Sequence, residues 1–183
     1  VNDNSIVCIA EIRTKDIREY PELGHHIEGI HSAPSGRFVF LTGVKSGVPE
    51  YGILRWDPSL DSADFIVNDA EMNQRFMVLS DSILCVLNFE TADSKGMVYM
   101  NVNTLEKWRV AVPAFDILFS KPAVASTSLS PDGTRILLEP YVDTDTNNGY
   151  PGIGVWVLNR TTLGLRQILP RHPFVLGNYG PLW

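Results

Sequence analysis

The sequence has few cysteines, no run of basic residues and no long hydrophobic stretch, and each shortage excludes a class of protein. Two cysteines, Cys8 and Cys85, are too few for a disulfide framework. Both lie in apolar, strand-like stretches (residues 6–9 and 83–86), which predicts two buried free thiols. The 15 lysines and arginines are scattered among 21 acidic residues, giving a formal charge of −6. Non-specific nucleic-acid binding needs clustered cations to neutralise phosphates, so no nucleic-acid partner is expected. No window approaches the length of apolar sequence that crosses a bilayer as a helix. The first residues, Val1 to Ser5, are polar and lack the basic-then-apolar layout of a signal peptide. Because the chain does not start with Met, a cleaved signal or a trimmed start stays open, and the residues themselves leave the compartment open.

Motifs for common chemistries are missing as well. There is no Gly-x-Ser-x-Gly elbow, and neither cysteine is flanked by groups that would lower its pKa. Neither the Gly-x-Gly-x-x-Gly nor the Walker phosphate loop occurs. Helical periodicity is absent too: the best candidate, Asp69 to Phe76, is short and has no apolar face at i, i+3, i+4.

What the chain does have is an apolar content of 44% with 20% charged residues, enough for a sizeable core, and an internal repeat. One copy reads Ser128-Leu129-Ser130-Pro131-Asp132-Gly133-Thr134-Arg135-Ile136-Leu137-Leu138, then Gly154-Val155-Trp156-Val157-Leu158-Asn159, then Leu165-Arg166-Gln167-Ile168. An earlier copy runs from Ser32-Ala33-Pro34-Ser35-Gly36 through Gly52-Ile53-Leu54-Arg55-Trp56-Asp57 to Asp64-Phe65-Ile66-Val67. Between them lie Val78 to Val86, Gly96 to Asn101 and Lys107 to Val110. Taking Phe38, Ile83 and Ile136 as equivalent strand openings gives separations of 45 and 53, and taking Leu60, Leu105 and Leu163 as equivalent turn residues gives 45 and 58. One long loop, from Glu139 to Gly152, accounts for the larger values. Short strands rich in β-branched and aromatic residues, four to a period near 45 and punctuated by Pro/Gly/Ser/Asp turns, predict an all-β fold, a β-propeller of four-stranded antiparallel blades. Three blades are complete (about 24–67, 74–111 and 122–169), and partial blades lie at both ends (about 5–22 and 172–183). The whole of 1–183 is expected to be a single propeller domain or a propeller fragment. The four tryptophans, Trp56, Trp108, Trp156 and Trp183, sit mostly at repeat positions, where packing between blades explains them better than a ligand-stacking platform.

The Ser130-Pro131-Asp132-Gly133 turn followed by Val155-Trp156-Val157-Leu158-Asn159 resembles the TolB-like, or WD40-like, propeller repeat. Gly24-His25 with Trp56-Asp57 adds a weaker likeness to a WD40 blade, in which His25 would have a structural hydrogen-bonding role. The resemblance covers roughly residues 5 to 183 and implies a soluble propeller that binds protein or peptide partners, in a periplasmic or extracellular setting. Propellers close to hide their end blades. The chain is therefore expected either to close as a small four-bladed ring or to belong to a larger ring, with oligomerisation or a further propeller segment supplying the remainder.

Candidate sites centre on the long loop. Asp143, Asp145 and Asn147 place oxygen-bearing side chains at alternate positions, as a calcium loop does. Asn148 and Gly154 stand where an EF-hand has glycine and glutamate, so a solvated hairpin tip is the preferred reading and calcium the lesser one; no other cofactor is expected. Tyr141 and Tyr150 flank this acidic tip, and aromatic residues beside polar ones favour protein contacts. Tyr141, Asp143, Asp145, Asn147 and Tyr150 are thus the candidate ligand-binding residues, with no catalytic residue assigned. His25, His26, His31 and His172 lack partners at zinc-ligand spacing. The functional expectation is a non-catalytic binding scaffold. The alternative is the gating propeller of a prolyl-oligopeptidase-type serine peptidase or another propeller enzyme, whose chemistry would lie elsewhere.

Overall fold

The computed structural model describes residues 7–10, 14–20, 25–44, 50–60, 62–72, 76–88, 95–118, 124–141 and 154–170. The first two strands, β1 (Val7–Ala10) and β2 (Ile17–Tyr20), pair antiparallel as a two-stranded sheet. Twelve more strands follow in three groups of four: β3 (His25–Ser32), β4 (Val39–Val44), β5 (Tyr51–Asp57) and β6 (Ser62–Val67); β7 (Met77–Val78), β8 (Ile83–Asn88), β9 (Gly96–Asn101) and β10 (Lys107–Ala111); β11 (Val124–Leu129), β12 (Arg135–Tyr141), β13 (Gly154–Asn159) and β14 (Leu165–Pro170). Each group is one antiparallel sheet in sequence order, with no crossover. The chain divides into two compact units, one of Val1–Gln74, Val78–Ile83 and Val102–Leu105, the other of Arg75–Met77, Leu84–Asn101 and Glu106–Trp183.

In the first unit the middle strands β4 and β5 are buried along most of their length, which is why they read as apolar runs rather than as alternating strands. One face of this sheet packs Leu41, Leu54 and Trp56 against Tyr20 of β2. The Tyr20 and Trp56 rings meet edge-on with centroids 4.4 Å apart. Pairing of Val7 with Tyr20 and Cys8 with Glu19 puts Cys8 on the opposite face of β1–β2, and Cys8 is exposed. The expectation of two buried thiols therefore holds only for Cys85. A two-stranded sheet covered on one side buries alternate residues, and an apolar run of four does not reveal which.

The turns repeat more regularly in space than in sequence. Ala33 N–H bonds the Phe38 carbonyl and Ser130 N–H the Arg135 carbonyl, with Gly36 and Gly133 each closing back on the first residue. Both glycines have φ near +70° (73° and 69°), a region other residues adopt only with strain. In the middle sheet Leu79 N–H bonds the Ile83 carbonyl, one residue fewer. The true equivalents are Phe38, Ile83 and Arg135, so Ile136 is displaced by one from the equivalence the sequence predicts. A matching correction applies to the third turn. Leu105 and Leu163 both adopt positive φ (60° and 57°), four residues after the asparagine that ends strand three. Lys15 (62°) takes the same conformation between β1 and β2. Leu60 lies only three residues after Asp57, the end of β5, so it is one residue short of that position.

Strand three of every blade opens on or next to glycine, at 52, 96 and 154. A Cβ on Gly52 would lie 2.5 Å from the Val67 carbonyl oxygen, and one on Gly96 would press still closer on that of Val110. Close approach of the fourth strand thus explains the glycines at 52 and 96, whereas Gly154 has φ 125°, a conformation that favours glycine. One helix is present among the described residues, α1 (Pro113–Leu118), where none was expected. Six residues are too few to show a period. Pro113 opens it with φ already set, Asp116 suits its N-terminal turn, and Phe115 is fully buried. Asp69 to Phe76 instead begins with an aspartate turn, Asp69 Oδ1 accepting from the amides of Glu71 (3.1 Å) and Met72 (3.0 Å).

Candidate functional site

Antiparallel order sends the first-to-second and third-to-fourth turns of a blade to one end and its second-to-third loop to the other. The turn end is closely tied. In the third blade Ser130 Oγ accepts from Arg135 N–H (2.9 Å) and donates to Asp132 Oδ1 (2.6 Å). Asp132 Oδ1 also accepts from the amide and hydroxyl of Thr134 (3.1 and 2.9 Å). These donors, the Ser130 hydroxyl first, hold the Asp132 carboxyl down to about 2. The Ser-Pro-Asp-Gly motif is thus a structural knot.

The third-to-fourth turn is clamped onto it: Arg160 N–H bonds the Thr134 carbonyl (3.0 Å), as Val102 N–H bonds that of Ser82 (2.8 Å). In the first blade the equivalent residue is Pro58, which has no N–H to give. An ion pair takes over there, Arg37 Nε lying 3.7 Å from Asp57 Oδ2, and hydrogen bonds from Ser59 lower the Asp57 pKa.

Neighbouring blades are joined by the side chain two residues before the end of strand three. In the first unit this is Arg55, whose Nη1 donates to Asn103 Oδ1 at 2.7 Å. In the second unit it is Tyr99. Over its ring lies the Arg160 guanidinium, 5.8 Å from the centroid, and Arg160 also donates to the Gly133 carbonyl. Trp108, paired with Tyr99 across β9–β10, stacks on it with centroids 5.2 Å apart and planes 5° from parallel. Trp108 is nevertheless 40% exposed, which departs from the expected core role; Trp56 and Trp156 are buried as expected, and Trp183 lies outside the described residues. Cys85 is buried in the same unit, its thiol pushed up to about 12 by desolvation.

The opposite end holds the loops. The β4–β5 and β8–β9 connections span six and seven residues, the β12–β13 connection twelve (142–153). Its predicted start moves: Glu139, Pro140 and Tyr141 belong to β12, paired with Ser126, Ala125 and Val124. Pairing of β12 with β13 stops at Leu138 and Trp156, so Pro140 sits where β12 is an edge on that side, a position that tolerates a missing N–H. Of the candidate residues, Tyr141 ends β12 with its side chain not described, while Asp143, Asp145, Asn147 and Tyr150 lie outside the described residues, as does His172.

A polar relay occupies the loop end of the first blade. His26 Nε2 is 2.9 Å from Glu28 Oε1, and Tyr51 Oη donates to Glu28 Oε2 at 2.6 Å. The buried Thr42 hydroxyl bonds Tyr51 in turn. Tyr51 and then His26 lower the Glu28 pKa, whereas burial and the Glu28 bond raise that of Tyr51. Desolvation lowers the pKa of His31, on the same strand. His26 has φ 53°, and pairing of β3 with β4 slips between His25 and Gly29. The sequence flags the histidines but not Glu28 or Tyr51. His26 and Glu28 share i, i+2 spacing on a strand; Tyr51 joins them through a cross-strand register no local pattern discloses.

Serial four-stranded antiparallel sheets joined by one repeated set of turns are the blades of a β-propeller. No family model matches the chain, and no curated protein matches it. Among solved structures it is similar to TolB from Acinetobacter baumannii, with a TM-score of 0.58 at 10% identity over 88% of this chain. A puromycin hydrolase structure aligns at a TM-score of 0.49 and 19% identity over 86% of it. The chain spans 37% of the TolB chain and 22% of the hydrolase chain. Its fold is that of a TolB-like propeller.

Proposed function

We propose that the chain is a non-catalytic propeller scaffold, one propeller domain or a fragment of one, that presents the loop ends of its blades to a protein or peptide partner. The observation that carries this reading is the difference between the two blade ends. Turns at one end are short and knotted to each other by backbone and side-chain bonds. At the other end the third blade carries a twelve-residue connection that the strand pairing does not need. Function in repeat folds collects on such insertions because the core is indifferent to them. Tyr141 and Tyr150 supply aromatic anchors, and Asp143, Asp145 and Asn147 a polar, acidic tip; calcium is the lesser role for those three.

Peptides selected from a random library on the immobilised chain provide the probe. Deleting Thr144 to Asn148 is expected to weaken the selected peptides at least about tenfold, the loss of one or two interface anchors, while leaving the melting temperature unchanged. Unchanged affinity would remove this loop from the account. Excess chelator in the same assay reports on calcium.

A further inference from the structure

We propose that the Asp132-Gly133 pair is a self-modification site, at which the backbone rearranges to isoaspartate when the first turn of the third blade opens, and that the knot of bonds around it keeps the folded chain unmodified. It is the one Asp-Gly pair in the sequence. Glycine has no Cβ to shield its nitrogen from the preceding side chain. Once free to move, Gly133 N attacks Asp132 Cγ. A C–N bond forms, and the carboxyl hydroxyl leaves with the amide proton as water. Hydrolysis of the five-membered imide adds water back at either carbonyl. One course restores aspartate; the other leaves the main chain running through Cγ, which is isoaspartate. No oxidant or co-reactant beyond water is needed.

In the folded chain both reacting groups are engaged. Gly133 N–H donates to the Ser130 carbonyl (2.8 Å), with Gly133 at φ 69°, and the Gly133 carbonyl accepts from the Arg160 guanidinium. Asp132 Oδ1 accepts from the Ser130 hydroxyl (2.6 Å) and from the amide and hydroxyl of Thr134 (3.1 and 2.9 Å). Arg135 Nη2 lies 3.8 Å from Asp132 Oδ2. Ring closure requires the carboxyl carbon to turn onto the Gly133 nitrogen, which breaks bonds on both groups. It also requires a protonated carboxyl, because hydroxide leaves far more readily than oxide, and the Ser130 hydroxyl and its companions hold the carboxyl ionised down to about 2. Burial does not supply the protection: the Asp132 side chain is 55% exposed and Gly133 is half-buried. Hydrogen bonds close the site, so local opening of the turn exposes it. Isoaspartate carries its free carboxylate on Cα and an extra carbon in the main chain, so a rearranged turn does not re-form the knot.

The test incubates the native chain, the same chain in urea, Ser130→Ala and Arg160→Ala side by side at about pH 5, where the unfolded carboxyl holds its proton far more often than the folded one. Isoaspartate at residue 132 is then measured by fragmentation mass spectrometry of the turn peptide. The native chain is expected to modify at least about tenfold more slowly than the unfolded chain. Each variant, shown to be folded by circular dichroism, is expected to modify at least about threefold faster than the native chain. Equal rates in the native and unfolded chains overturn the proposal, as do two folded variants that age at the native rate. Should Ser130→Ala fail to fold, Arg160→Ala and the ratio of native to unfolded rates decide the matter.

Discussion

Removing the Arg160 side chain tests the joint between the second and third blades. Arg160→Ala deletes the bond to the Gly133 carbonyl and the cation over Tyr99. A hydrogen bond from a charged donor contributes about 1.5–3 kcal/mol, and a partly desolvated cation–π contact about 0.5–2. Two effects offset the loss. Gly133 is only half-buried, so its carbonyl regains water, and Arg160 Nε is buried with no bond among the described residues, a desolvation cost the substitution relieves. The net expectation is about 2 kcal/mol, read as a lower urea midpoint at unchanged slope. Arg166→Ala, at an exposed position of β14, should cost under about 0.5 kcal/mol. In a double-mutant cycle with Tyr99→Leu, a coupling of about 0.5 kcal/mol or more is expected. An Arg160→Ala loss under about 0.5 kcal/mol, or strict additivity with Tyr99→Leu, would refute the reasoning.

Other consequences are direct. The Asp132 carboxyl is depressed from 3.8 to about 2 in the folded chain, so its contribution is complete above the unfolded value and is lost as pH falls through the folded one. Asp132→Asn should therefore destabilise at neutral pH, with the gap to the native chain closing between about pH 4 and pH 2 in parallel denaturation curves; a gap independent of pH would contradict the assignment. Iodoacetamide should label Cys8, which is exposed, and spare Cys85 until the chain unfolds, a pattern peptide mass mapping reads directly. Gly96→Ala, forcing a Cβ into the Val110 carbonyl, should cost about 2–3 kcal/mol in thermal or urea unfolding; a neutral result would mean β10 shifts freely.

The blade plan was legible in the residues because turn chemistry repeats. Ser-Pro-Asp-Gly, the glycine at the head of strand three and the Asx at its end each answer a local need of the backbone, so each leaves a mark in the sequence. The third-to-fourth turns are more alike in space than in letters, because positive φ is carried at Leu105 and Leu163, neither of which advertises it. Matching apolar residue to apolar residue therefore puts Leu60, and likewise Ile136, one position out. Helix α1 was hidden by its length. The relay of Glu28, Tyr51 and Thr42 and the Arg160–Tyr99–Trp108 stack depend on register between strands and on contact between blades, neither of which has a local signature. The long loop was visible as an interruption of the period, although its first three residues continue β12.

Hydrogen exchange with and without a selected peptide, resolved along the chain, tests the central claim most directly. Binding at the loop end predicts slowed exchange across residues 142–153 and in the flanking parts of β12 and β13, with the Ser130–Arg135 and Asn159–Gly164 turns unchanged. Protection confined to those turns would contradict the account.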